Sequence, residues 1–462
     1  MEEEKKYFVL SLPLKLEPWQ EHRLDKALEV NRQIYNAMLR EGLKRYRQMA
    51  QTRAFRKLQE DLRASREPEE RKRIYRELDK LRERYRLRPY DFSKDSTAYR
   101  RHFRENTDAP IVQNLAASVS RAVLGLSDGR AEKAFYKLEG GLNCISGKTN
   151  HTSIRYKDGI LYWKKLRLKT LEKGSAYERQ ALEQTICFCR IKRKLIRGKF
   201  RYYAELVMKG SCPVRKVIPA REKGTVGIKS SLSSVTAVSA GEILKLQLPR
   251  SSDTLEAQRK ELARKLERSR RATNPQNYEK NGTIRKGIFL WHQSINYRNL
   301  IKQYAEILRM QRVRRDELQR ACMERLLEMG DCFVYEELSY RSMKYGGRKI
   351  EDAAPAAFFQ KFRRKAENQG RSCLAANPLQ TQSSSFDHSA GTARKSKPMR
   401  SKPPLAKAVR VIEGQEIESQ CYGAFLLRHL DPESGQIDAD RCRQEFSQFL
   451  ELYQSYELRH VV

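Results

Sequence analysis

Apolar and polar positions follow two periods along this 462-residue chain, and the switches between them mark its parts. Residues 5–14 (KKYFVLSLPL) are a short apolar-rich run that predicts one strand. Between Glu21 and Met49, Leu24, Ala27, Leu28, Ile34, Tyr35, Met38 and Leu39 hold one helical face. A second helix is predicted from Glu67–Pro68, where Ile74, Leu78, Leu81 and Tyr85 recur at spacings of four, three and four. The rest of that helix, ERKRIYRELDKLRERYRL, is nearly all charge. Two readings stay open for it: a solvated helical hairpin, or a basic helix lying along a phosphate backbone.

Near residue 140 the period changes to two. HTSIRYKDGILYWKKLRLKT sets Asp-Gly between alternating segments, and TICFCRIKRKLIRGKFRYYAELVMKG sets Arg-Gly between two basic, aromatic strands. A β-barrel with cationic faces is expected, of the kind that holds oligonucleotides. From Thr225, TVGIKSSLSSVTAVSAGEILKLQLP predicts three antiparallel strands. A helical stretch over 253–328 follows, broken around ATNPQNYEKNG. CFVYEEL (332–338) reads as a strand ending in carboxylates. AAPAAFFQKFRRKAEN (353–368) reads as an amphipathic helix closed by Gly370, and Cys421–Leu458 as a final helical part.

Charge narrows the function. There are 94 Lys+Arg against 57 Asp+Glu, a net +37. An excess spread over the whole length repels itself unless a polyanion neutralises it, which favours nucleic acid over a small anionic substrate or a membrane surface. The hydrophobic share of 39% is enough for real cores. No run of about 18 apolar residues predicts a membrane span, and the start MEEEKKYFVLSLPL lacks the apolar core of a secretory signal. Nine scattered cysteines without a CxxC pair read as reduced core thiols and predict no zinc site.

A three-strand meander, then helices, then a strand ending in Glu, then a closing helix is the order of an RNase H-like nuclease. In these residues the chain resembles the TnpB proteins of insertion sequences and the miniature type V CRISPR effectors, and within them the nuclease-dead TnpB-like repressors. The resemblance spans most of the chain and includes NRQIYN (31–36) in the first long helix. It implies an α+β multidomain chain with a strand at 1–15 belonging to an oligonucleotide-binding-like (wedge) β-barrel. A helical recognition lobe over 16–140 and the barrel proper over 141–220 would follow. A RuvC domain over 221–374 and 411–462 would be split by an irregular basic insert at 375–410, with no zinc ribbon. In the family the three RuvC motifs read like V-G-I-D-x-G, V-x-E-D-L and R-D before a small-residue helix start, and their acids hold two Mg²⁺ ions. Here the first reads VGIKSS, with Lys229 at the aspartate; the second reads VYEEL, with Glu336 at the glutamate. The third reads ESQCYGAFLL against a pattern close to QRDLYSAFL, with Gln420 at the aspartate. No Asp occurs between 221 and 252, so no shift of register restores the first acid. Lys229 is expected to point at Glu336 and to fill the space of a metal ion.

The resemblance therefore implies no intact catalytic set and neither Mg²⁺ nor Zn²⁺. Asp387-His388 reads as plain loop residues. The expected partners are a guide RNA and a double-stranded DNA target with a short adjacent motif, bound by a monomer in a prokaryotic cytoplasm at the nucleoid, without a membrane. Candidate nucleic-acid contacts are Lys148, Arg155, Arg190, Lys192, Arg193, Arg363, Arg364 and Lys365. Tyr156, Trp163, Tyr202 and Tyr203 are read as base-stacking rings or core aromatics. Three functions stay open: a guided repressor that does not cut, an RNA-guided Mg²⁺-dependent endonuclease, and a degenerate transposon-encoded protein binding nucleic acid nonspecifically.

Overall fold

The computed structural model describes residues 7–65, 67–231, 234–248, 253–288, 290–337, 354–393 and 409–460, in two compact units, Met1–Pro213 and Val214–Val462. Residues 5–6, 338 and 353, which end expected elements, and 394–408 of the expected insert lie outside the described residues.

In the first unit β1 (Tyr7–Lys15) buries alternate residues, so Phe8, Leu10 and Leu12 enter the core. Two hairpins follow the turn chemistry of the sequence. β3 (Ile154–Lys157) meets β4 (Ile160–Trp163) at Asp158-Gly159, and β6 (Thr185–Ile196) meets β7 (Lys199–Lys209) at Arg197-Gly198. Both turns have two positive φ angles, 49° and 74°, then 50° and 74°, which give the twist that antiparallel strands need. With β2 (Cys144–Ser146) and β5 (Leu166–Thr170) these strands form a seven-stranded sheet in the order β2-β6-β7-β1-β5-β4-β3. The sheet is nearly closed, and Asn150 ties β3 at one edge to β6, the strand next to the other edge. The Asn150 amide N–H donates to the Cys187 carbonyl of β6, while its side chain brackets both the N–H and the C=O of Tyr156 on β3.

The helices α1 (Pro18–Ala50), α2 (Arg53–Ala64), α3 (Pro68–Arg84), α4 (Pro89–His102) and α5 (Ala109–Ser127) come between β1 and β2, and the short α6 (Ala176–Leu182) between β5 and β6. All seven apolar residues of the expected α1 face are buried. The two asparagines of NRQIYN latch loops onto that helix. Fully buried Asn31 donates to the carbonyls of Ala27 and Asn106 and accepts from the Thr107 hydroxyl; Asn36 brackets the backbone of Lys137.

In the second unit β8 (Thr225–Ser230), β9 (Ser234–Val238) and β10 (Ile243–Gln247) form the expected antiparallel meander. β11 (Cys332–Glu336) runs parallel to β8, and β12 (Ser372–Ala376) parallel to β11, giving the order β10-β9-β8-β11-β12. The charged helices α7 (Asp253–Thr273) and α8 (Ile295–Glu328) lie between β10 and β11 in the chain. α9 (Pro355–Glu367) sets Phe362 edge-on to Phe333 of β11, with ring centroids 5.0 Å apart. α11 (Ser419–Arg428) is buried without a break from Cys421 to Leu427, and α12 (Ala439–His460) stacks Phe449 on its Phe425.

One expectation changes. The start of the 375–410 stretch is not irregular: after β12 come a helical turn α10 (Pro378–Thr381) and a small hairpin, β13 (Phe386–Asp387) with β14 (Thr392–Ala393). Thr381, Ser383, Asp387 and His388 are all buried there. Small hydroxyl residues resemble a linker in composition, but here they are polar partners for buried charge, which composition does not reveal.

Candidate functional site

The three motif positions of the second unit meet on one side of its sheet. Lys229 of β8 is cross-strand partner to Thr236 of β9, so their side chains share a face. Gln420, in the first turn of α11, accepts from the Thr236 hydroxyl at 3.1 Å and the Ser234 hydroxyl at 3.3 Å. Glu336 ends β11, the strand beside β8. Lys229 Nζ donates to Glu336 Oε2 at 2.5 Å, and to the hydroxyls of Ser383 (2.5 Å) and Ser384 (3.0 Å). The other carboxylate oxygen, Oε1, accepts from Thr381 (2.7 Å) and Ser383 (2.6 Å). Lys229 is 9% and Glu336 6% exposed, so this is a buried, hydrogen-bonded ion pair rather than a solvated lysine near an acid. Burial pushes the Glu336 carboxyl up. The Lys229 charge and the hydrogen bonds from Lys229, Ser383 and Thr381 outweigh that, leaving it below its ordinary value.

α11 packs against this ion pair. Gly423 lies against the Lys229 stem; a Cβ there would stand 3.3 Å from Lys229 Cδ. Glu418, just before α11, is bound to Lys245 of β10, and its N–H donates to the Tyr453 hydroxyl at 3.0 Å. The nearby Asp387-His388 pair is no surface loop. His388 is fully buried, with its ring 4.3 Å from Phe446, its N–H donating to the Tyr422 hydroxyl and its Nδ1 2.7 Å from that oxygen. Among the described residues no group of three or more His, Cys, Asp or Glu side chains is arranged to hold a metal ion.

Thr381, Ser383 and Ser384 were not legible as site residues. Their only sequence signal is a run of hydroxyl residues in the segment that follows a strand ending in Glu.

The basic candidates separate by environment. Lys148, Arg155 and Arg364 are exposed. Arg190 lies over the Phe188 ring at 5.0 Å, and Lys192 pairs with Glu205 at 2.7 Å. Arg363 pairs with Glu367 and Lys365 with Glu324. Arg193 is a correction: it is 6% exposed and bound to Asp25, Asn143 Oδ1 and the Gly140 carbonyl, so it joins β6 to α1 and is not open to a ligand. The period of two along RIKRK puts Arg193 on the face of Cys189 and Ile191, and that alternation was available in the sequence. Tyr156, Trp163 and Tyr202 are buried, with their polar tips bound to Glu172, Asp108 and Asp25. They are core aromatics. Tyr203 is half-buried under Lys194 Nζ, 4.4 Å from its ring centre.

Among the described residues no helix is long and apolar enough to cross a membrane. No family model and no curated protein matches the sequence. Among solved structures the chain is similar to one described as the cryo-EM structure of the Cas12f1-sgRNA-target DNA complex. The identity is 12% and the TM-score 0.36, over 85% of this chain and 92% of that one. It is similar also to one described as the cryo-EM structure of the CRISPR-Cas12f ternary complex, at 12% identity and a TM-score of 0.28, over 91% of this chain and 86% of that one.

Proposed function

We propose that this protein is a TnpB-like, RNA-guided DNA-binding protein that does not cut its target. It pairs a guide RNA with a DNA site and represses transcription by occupying a promoter. The observation that carries the reading is the ammonium of Lys229 seated 2.5 Å from Glu336.

The order β10-β9-β8-β11-β12, with the last two strands parallel to β8, is that of an RNase H-like sheet and supports a RuvC domain. Two-metal chemistry on such a sheet needs several carboxylates with free oxygens. The three motif positions hold one carboxylate, one amide and one ammonium, and an ammonium has no lone pair to give a metal. Glu336 already accepts on both oxygens, Gln420 is held by Ser234 and Thr236, and Glu418 is bound to Lys245. This set does not fit a pair of divalent cations. The net charge of +37 supports a grip on nucleic-acid backbone, and in this reading the guide supplies the sequence by base pairing.

The test is purification with bound nucleic acid, sequencing of that RNA, and a plasmid assay with the recovered guide and Mg²⁺. A discrete small RNA, target binding and intact plasmid are expected. Cleavage at the target would sink the reading in favour of an endonuclease, and heterogeneous RNA would favour a nonspecific binder.

A further inference from the structure

A cavity of about 520 Å³ opens in the first unit where the start of α1, residues 104–106 and the β4–β5 turn converge. That size falls in the roughly 300–1,000 Å³ range of small-ligand sites. Ala27, Trp163 and Leu166 contribute an apolar floor, and Trp19, 56% exposed, stands at the rim. Arg23, Arg104, Lys164 and Lys165 also line it, against one acid, Glu105. Among the described residues none of these four cations forms a salt bridge, and the Asn106 side-chain amide makes no hydrogen bond.

The walls are tied together without any ligand. Lys164 Nζ donates to the Arg104 carbonyl at 2.5 Å, and the Trp163 indole N–H donates to Asp108 at 3.0 Å. The Gln20 amide reaches the Arg167 carbonyl at 3.0 Å. Lys164 holds a φ of 52°, an uncommon state for a residue with a Cβ, in the turn that carries both lysines. A cavity fixed in this way loses little order on binding.

We propose that this cavity receives one unstacked nucleotide of a nucleic-acid strand, with the base against Trp19 and the apolar floor, its edge toward Asn106, and its phosphate among Arg23, Arg104 and Lys165. An aromatic rim plus unpaired cations is the chemistry of single-strand binding, because every base has a stacking face and every nucleotide carries a phosphate. An acidic peptide would use the cations and leave the exposed indole and the amide without a role. The inference rests on the nucleic-acid reading above and adds a location that sequence motifs do not mark.

The test uses the full chain and single-stranded oligonucleotides, RNA and DNA, carrying 5-iodouracil. Ultraviolet crosslinking and mass spectrometry are expected to find Trp19. Trp19→Ala is expected to weaken strand binding roughly ten-fold, in line with one stacked base, and Trp19→Phe to restore most of it. Arg104→Gln is expected to lower the slope of log affinity against log salt by about 0.7. Trp19 is exposed, so these variants do not threaten folding. Strands that bind with crosslinks elsewhere and with unchanged affinity in Trp19→Ala would overturn the inference and leave the proposed function standing. A chain that binds no strand at all would overturn both. Uridine monophosphate binding as tightly as a strand, read by tryptophan fluorescence, would reassign the cavity to a free nucleotide.

Discussion

At the scale of single residues, Lys229 and Glu336 show how a buried charge is kept. Each is held by the other and by hydroxyls of Thr381, Ser383 and Ser384, so removing one leaves the other charged without its counterion. Glu336→Ala is expected to destabilise the second unit by about 3–5 kcal/mol in denaturant titration. Because the folded carboxyl sits below its ordinary 4.5, the stability it contributes is complete above that pH and is lost as pH falls through the folded value. His429 acts at a higher pH. Burial, with Arg428 adding to it against Glu445 and Asp438, takes the imidazole from 6.5 to about 4. The unfolded chain therefore takes up the proton first, and stability falls as the pH drops from 6.5 toward 4. The full effect is about 3 kcal/mol. His429→Gln is expected to flatten Tm against pH over that interval.

At the scale of elements, contact between a strand and a helix decides what either can tolerate. Gly227 of β8 lies under α11, where an added Cβ would stand 2.0 Å from the Ala424 carbonyl oxygen and 2.4 Å from the Arg428 nitrogen. These are backbone atoms that cannot rotate away, so Gly227→Ala is expected to cost more than about 3 kcal/mol, read as a large fall in the denaturation midpoint. The run V-G-I shows this glycine in the sequence; the packing of α11 on β8 gives its reason. β6 teaches the same lesson from its alternation. Arg190, Lys192 and Lys194 share one face while Arg193 turns inward to Asp25. Arg193→Gln is expected to lower Tm while leaving the salt slope of nucleic-acid binding unchanged. Arg155→Gln and Arg364→Gln are expected to lower the slope by roughly 0.7–0.9 each with little change in Tm.

At the scale of the molecule, the 94 basic residues have internal uses as well as the surface one that the net +37 marks. Lys229 neutralises an acid in the second unit, and Arg193 and Arg82 are buried against Asp25 and Asp128 in the first. The proposed reading of the Lys229–Glu336 ion pair can be tested by adding acids. Lys229→Asp with Gln420→Asp would put three carboxylates where the chain now has one. This double variant is expected to lose thermal stability through like-charge repulsion and to regain several degrees with Mn²⁺ or Mg²⁺, a shift the parent should not show.

The sequence by itself determined the meander, the two hairpins with left-handed turn residues and the buried face of α1. Each depends on local periodicity or turn geometry. Tertiary structure alone decided which partners close around Lys229 and Glu336. Thr381, Ser383 and Ser384 lie 45–48 residues beyond Glu336 and more than 150 beyond Lys229, and only the parallel pairing of β8, β11 and β12 brings them to one ion pair. Trp19, Arg104 and Lys164 likewise share a cavity through the packing of a helix, a loop and a turn that no short-range pattern connects. Burial of charge is a long-range property: neighbours in sequence set which side a residue faces, and distant segments set whether that side meets water or a counterion.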